Sequence, residues 1–475
     1  MTLPFDPPTG LAPRLSLFAS ETPAEAIPDS VMQSWVLHLI DTLACAAAGS
    51  RLPLAQSVAT YARQQGSGRP LIGGGSSGPM LAAFANAFAA NLLDFDDGFE
   101  HDGKGMGHPG ASLVAAGLAA LGDAPVTGRA FLTALVLGAE INNRLILSVQ
   151  PSAKRFVEVY GIGQHQSVGA AVTYARLKGL GAPQMSNALN LAASLSAVPS
   201  LHKYNWFTRP IISLKDFVAP SAQAGVQGVD LALAGLQGPA DIFEGPQGFW
   251  RMVGSDHFAP DLLTEGLCHD WYAGDGAVKT YPACRWIAPV LEAFDTVLAE
   301  SGAPFDRIAR IEVHSFADVA AKMAYPAPAN AIDAQFSLPH LMTCQALGLE
   351  AGLPWFTPDA LDQPETAQLA TRLSFHTDPE MDAAMRGVGR RPQARVELTL
   401  TDGGHHSCRI DAPLGGALRP VSAETVHAKA ARLMAQAGIP HPETLLTSLA
   451  DISEVEDIRP LIAPFFTQPD APRFS

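Results

Sequence analysis

The sequence predicts a mainly α protein with a second domain of α+β structure, and three observations carry that expectation. From about residue 29 to about residue 300, apolar residues recur at helical spacing in alanine-rich runs. After Trp271, two segments, RIARIEVHSF and ARVELTLTDGGHHSCRI, alternate apolar and polar residues at period two, as a strand with one buried face does. The tail then returns to helical patterns in AETVHAKAARLMAQAG and PETLLTSLADI. The expected organisation is a helical domain over residues 1–272, an α+β domain over 273–412, and C-terminal helices over 413–475 that rejoin the helical domain.

The first helix is read from DSVMQSWVLHLIDTLACAAAGS, where Val31, Trp35, Leu39, Ile40 and Leu43 share one stripe and Gly49 is placed to end it. Gly73-Gly74-Gly75-Ser76-Ser77-Gly78 lacks the Lys-Ser/Thr of a phosphate loop and is read as a connector. Helical runs follow at PMLAAFANAFAANLLDF, GASLVAAGLAAL, GRAFLTALVLGAEINNRLI, SVGAAVTYARLKGL, MSNALNLAASLSA and APSAQAGVQGVDLALAGL, whose small residues let helices approach closely. Between the two strand patterns, LPHLMTCQALGLEAG reads as helix, and Asp402-Gly403-Gly404 signals a hairpin turn in the second.

The chain has 475 residues, 47% of them hydrophobic and 16% charged, with a formal net charge of −15. That balance leaves no diffuse basic field for nucleic acid or an anionic membrane. High apolar content with few charges predicts a large interior and a homodimer buried through the helical domain. Cys45, Cys268, Cys284, Cys344 and Cys408 are far apart with no C-x-x-C pair, which announces neither a disulfide framework nor a zinc or iron–sulfur site. The N-terminus lacks the pattern of a targeting segment, and no stretch is expected to be apolar enough to span a bilayer. The protein is therefore expected to be soluble and cytoplasmic.

The densest polar cluster runs from Asp94 to Asp102 and continues through Gly-rich sequence to His108-Pro109, between two apolar helices. It reads as a solvated acidic loop or as a shaped backbone that aims side chains; its spacing fits neither an EF-hand nor H-E-x-x-H. Cations are scarce, so Lys203, Arg209 and Lys215 in LHKYNWFTRPIISLKDF, and Lys279 and Arg285 in VKTYPACRW, are candidates to receive carboxylates. His165 and His202 read equally as core or catalytic residues.

Taken in order, several motifs resemble the MmgE/PrpD family. LIDTLACAAAG is similar to its opening helix, and PMLAAFANAFAANLLDFDD followed by GHPGASLVAAGLAAL to its aspartate-rich loop with a downstream His-Pro. SVGAAVTYARLKGLGAPQMSNALNLA resembles its Gly/Ala helix pair, VKTYPACRW its Lys-x-Tyr/Phe-Pro motif, and AQFSLPHLMTCQALGLEAG its Phe-Ser-Leu-Pro segment. The matches cover most of residues 30 to 350.

The resemblance implies a two-domain fold with a large helical domain and a smaller α+β domain, a homodimer, and a cleft that acts on small polycarboxylates without metal or organic cofactor. It places active-site roles on Asp94, His108, Lys215 and Lys279. Within it, His108 is expected to be a general acid or base oriented by Asp94, the lysines to bind carboxylates or supply a base, and Tyr160 or His165 to complete a proton relay. Lys203, His202 and Arg285 are expected to help bind substrate. Gly98, Tyr160 and the missing tyrosine near Ala320, with Tyr325 the nearest substitute, depart from the cis-aconitate decarboxylase branch. The expected reaction is dehydration of a citrate-like substrate, as in 2-methylcitrate dehydratase. Epimerisation of a polycarboxylate such as iminodisuccinate, cis-aconitate-type decarboxylation, and a non-catalytic scaffold are the alternatives.

Overall fold

Small residues set how closely the helices of this chain pack. A computed structural model describes residues 9–159, 163, 165–196, 209–211, 214 and 216–467. In it the helices Asp29–Gly49, Pro79–Asn91, Pro109–Ala120, Gly128–Ser148, Gln166–Leu177, Ala182–Ser194 and Val218–Leu233 form one bundle around a continuous apolar core. Gly138 and Gly169 sit where Gly128–Ser148 crosses Gln166–Leu177. A Cβ on Gly138 would lie 2.1 Å from Thr173 Oγ1, and one on Gly169 would lie 2.7 Å from Asn142 Cβ, so only hydrogen fits at either point.

Two of these helices correct an expectation. Asp29–Gly49 and Gly128–Ser148 are long and apolar enough to cross a bilayer by length and composition, but 72% and 89% of their most apolar windows are buried inside the fold. A helix that is apolar nearly all round is what the centre of a large bundle requires. The late helix Ala423–Gln436 packs against Asp29–Gly49, bringing a segment that follows the large sheet back onto the bundle.

The expected strands form at Ile308–Ser315, Ala394–Leu400 and His405–Ile410, the last two joined by the turn at Asp402-Gly403-Gly404. A fourth strand, Leu373–Thr377, was not visible in the sequence and pairs parallel to Ile308–Ser315, giving the order 373–377, 308–315, 394–400, 405–410. The helix Ala288–Ser301 covers the inner face of this sheet. The glycines at 73–75 form the turn of a small hairpin between Arg69–Pro70 and Ser76–Ser77, each with the positive φ that glycine adopts without strain.

A three-stranded sheet packs against the bundle at the helix Pro109–Ala120. Gly98–His101 pairs antiparallel with Lys104–Gly105 on one side and with Gly276–Ala277 on the other, in the register Gly98↔Ala277. The acidic cluster thus runs from a bend after the helix Pro79–Asn91 into a strand, and that strand carries the segment after Ala277 alongside it.

Candidate active site

The register Gly98↔Ala277 puts Lys279 next to the bend that holds Asp94. That bend is tight: the Asp94 amide donates to Asn91 O at 2.9 Å, and Asp94 has φ +50°, the left-handed region that an Asp tolerates better than most residues. Its carboxylate turns to Lys279, whose Nζ lies 2.5 Å from Asp94 Oδ1 and 2.9 Å from Asp94 O. Both side chains are buried.

Asp96 and Asp97 face inward as well and are fully buried. Asn91 donates to both oxygens of Asp96, at 3.1 and 3.2 Å. Asp97 accepts from the Gly110 amide at 3.0 Å and lies 3.1 Å from His38 Nδ1. A Cβ on Gly110 would lie 2.4 Å from Asp97 Oδ1, so the glycine of the His-Pro-Gly turn is what lets the carboxylate approach the first turn of Pro109–Ala120.

His108 stands at the N-cap of that helix. Its Nδ1 is 3.0 Å from Asp97 O and 3.4 Å from Asp96 Oδ2, and its Nε2 faces Asp216 Oδ2 at 3.9 Å. A proton on Nδ1 shared with the Asp97 carbonyl leaves Nε2 directed at the cleft. Burial and the Lys279 charge push the His108 pKa down, but Asp96 and Asp216 raise it further, and the net shift is upward. Burial pushes the Asp96 carboxyl up, yet His108 and Lys279 outweigh it and leave that pKa lowered.

Asp94, His108, Asp216, Lys279 and Arg285 line one cleft, closed on a further side by Gly415 and Gly416. The Val278 amide donates to Gly415 O at 2.9 Å, which joins that turn to the Lys279 segment. Arg285 is paired with Glu100 on the central strand of the small sheet. Gly98 also lines the cleft, and a Cβ there would stand 3.3 Å from Gly107 O, tighter than ordinary contact.

The orienting role expected of Asp94 falls elsewhere. Asp94 pairs with Lys279, and the carboxylate at His108 Nδ1 is Asp96, because the bend at Asp94 turns successive aspartates in different directions. His165 is buried outside the cleft lining, has no hydrogen-bond partner on either ring nitrogen among the described residues, and is pushed by burial to a pKa of about 3. It is an uncharged core group at neutral pH. Arg209 is spent on Asp333, at 2.5 Å, and on the carbonyls of Lys322 and Phe336. Tyr325 packs against Arg209 away from the cleft. Tyr160, His202, Lys203 and Lys215 lie outside the described residues.

Sequence reasoning missed Asp216, which follows Lys215 directly, and the buried pair of Asp41 and Lys429 beneath the cleft. Asp41 carried a signal, a carboxylate inside the apolar run LIDTLACAAAG. Asp216 and Lys429 carried none.

Two family models match the chain. Residues 13–260 match the MmgE/PrpD N-terminal domain and residues 281–448 the MmgE/PrpD C-terminal domain. Among curated proteins, the cis-aconitate decarboxylase of Mus musculus is 25% identical over 399 residues, covering 80% of this chain and 77% of that protein. The cis-aconitate decarboxylase of Homo sapiens is 23% identical over 460 residues, 91% of this chain and 89% of that protein. That of Aspergillus terreus is 21% identical over 487 residues, 96% and 93%.

Proposed function

This chain belongs to the MmgE/PrpD family, and on that premise we propose that it is a lyase acting on a small polycarboxylate by proton transfer next to a carboxylate, without metal or organic cofactor. The observation that carries the reading is the meeting, in one cleft, of the Asp94–Lys279 ion pair with His108 held between Asp96 and Asp216.

The finer reading is dehydration of a citrate-like hydroxy acid. Lys279, fixed by Asp94, presents a positive charge to a substrate carboxylate and to the enolate that develops as the carbon-bound proton leaves. Asp216 faces the same space and accepts that proton. His108, whose raised pKa favours its charged form, gives the Nε2 proton to the departing hydroxyl, so that water and an alkene are the products. Arg285 adds a second cation at the wall of the cleft.

A second reading is favoured by the relatives, all three of which are cis-aconitate decarboxylases. In it the same acid protonates carbon as carbon dioxide leaves. The test is incubation of the purified protein with 2-methylcitrate and, separately, with cis-aconitate, following alkene absorbance and carbon dioxide release, before and after chelation. Alkene formation from the hydroxy acid, unchanged by chelation, is expected. Carbon dioxide from cis-aconitate with no dehydration overturns the finer reading in favour of the second. Deuterium uptake from heavy water with inversion and no new alkene overturns both in favour of epimerisation. Activity lost on chelation and restored by a divalent metal overturns the cofactor-free assignment.

We further propose a homodimer, on the strength of the 47% hydrophobic and 16% charged composition.

A further inference from the structure

Among the described residues, two groups of metal-ligating side chains and the buried pair of Asp41 and Lys429 stand out beyond the roles above. Glu312, His314 and His376 gather on the outer face of the large sheet, with His314 opposite His376 across parallel strands and the rings 4.8 Å apart. Arg310 already holds the Glu312 carboxylate at 2.6 Å, so the charge that would recruit a cation is spent. Asp94, His108 and Asp216 form the other group, and there the Lys279 ammonium occupies the cation's place at 2.5 Å from Asp94. The buried pair of Lys429 and Asp41 has no such competing explanation.

We propose that Lys429 is a positioning residue that holds the Asp94 bend and the Lys279 segment in register, a proposal that rests on the lyase reading above. Lys429 comes from the helix Ala423–Gln436 and does not line the cleft. Its Nζ donates to Phe95 O at 2.5 Å and to Lys279 O at 3.0 Å. One ammonium therefore bonds the backbone of the residue after Asp94 and the backbone of Asp94's ion-pair partner. The same nitrogen is 2.7 Å from Asp41 Oδ1 and 4.0 Å from the centre of the Phe95 ring, with the side chain 6% exposed.

Three features make this a clamp on the site in addition to a core ion pair. The two carbonyls belong to different sheet-forming segments, 334 and 150 residues from Lys429 along the chain. Both are held from beneath, on the main chain, while the paired side chains of Asp94 and Lys279 line the cleft. Asp41 lies three residues after His38 on Asp29–Gly49, and His38 reaches Asp97 Oδ2, so the same helix supports the next residues of the acidic bend. Burial pushes the Asp41 carboxyl up to about 6 against the opposing pull of Lys429, as expected of a carboxylate retained in the core only by its partner.

The experiment compares wild type with Lys429→Met and with the double variant Asp41→Asn/Lys429→Met. Removing the lysine alone leaves Asp41 buried without a counter-ion, so the single variant loses thermal stability; removing both charges restores much of it. Positioning gives a different pattern. In both variants kcat falls about a hundredfold, as misplacement by roughly an ångström does, while KM changes by less than about threefold. Recovery of kcat together with Tm in the double variant overturns the proposal and makes Lys429 structural only. If wild type turns over no polycarboxylate, the lyase reading fails by itself, and a crystal structure of the double variant decides the clamp. Separation of Lys279 Nζ from Asp94 Oδ1 beyond hydrogen-bond reach supports it, and an unchanged 2.5 Å overturns it.

Discussion

Lys279 Nζ lies 2.5 Å from Asp94 Oδ1 across 185 residues of chain, with both side chains almost wholly removed from water. An ion pair in that position is expensive to leave half-made. Lys279→Met is expected to lower kcat by at least about a hundredfold through loss of the charge facing the developing enolate. It should also destabilise the fold, because the Asp94 carboxylate stays buried after losing the Lys279 ammonium. Steady-state kinetics and denaturant unfolding check the two effects separately, and Asp94→Asn/Lys279→Met should recover stability without recovering turnover.

The upward shift of His108 has a sign that can be tested. A histidine whose folded-state pKa exceeds its unfolded value stabilises the fold fully below the unfolded value, and that contribution is lost as pH rises through the folded value. The dehydration step needs the same protonated form. The pH profile of kcat/KM is therefore expected to fall on its alkaline side with a midpoint above 6.5, and His108→Gln should remove that limb while lowering turnover about 10²–10⁴-fold. An alkaline limb that survives in His108→Gln assigns the acid elsewhere.

Asp96 behaves oppositely. Its folded-state pKa is lowered, so its contribution to stability is present above the ordinary carboxylate value of 3.8 and is lost as pH falls through the folded value. Asp96→Asn keeps a partner for Asn91 but removes the charge that supports the protonated imidazole. The alkaline limb of the rate profile should then move toward lower pH, read from kcat/KM in wild type and variant side by side.

Asp216→Asn isolates the proton acceptor. The variant is expected to bind substrate with KM changed by less than about threefold while kcat falls about 10²–10⁴-fold. Exchange of the substrate's carbon-bound hydrogen in heavy water should slow in parallel. Exchange at the wild-type rate would show that another base removes the proton.

Sedimentation at low micromolar concentration tests the homodimer. A species near twice the 49.9 kDa chain mass is expected, and a single species near that mass refutes it.

How much of this was legible in the sequence depended on whether a feature had a local cause. Ala394–Leu400 announces itself because it alternates buried and outward residues over all seven positions, and Ile308–Ser315 because it does so from Ile311 to Ser315, beyond the irregularity at 308–310. Leu373–Thr377 does not: it is five residues long, it alternates weakly, and it joins its neighbour in parallel through a long connection. Asp94, His108, Lys279 and Arg285 stand out because polar groups are scarce in so apolar a chain. Lys429 was invisible for the reverse reason. In AETVHAKAARLMAQAG it looks like any lysine on a helix, and only the packing of Ala423–Gln436 against Asp29–Gly49 turns it inward. The assignment of Asp96 and not Asp94 to His108 depends on one left-handed residue, which no periodicity reports.

The clamp also dates the site in the life of the molecule. The contacts beneath the cleft join residues 150 and 334 positions apart, and both arrive with the helix Ala423–Gln436. Closing loops of that size is entropically late, and contacts so distant in sequence form slowly. A nascent chain still on the ribosome, or a product truncated before residue 429, carries Asp94, His108 and Lys279 yet lacks the cation that holds their backbones together. Such a chain would be inert, and competence would switch on only once Lys429 has been made and its helix has docked.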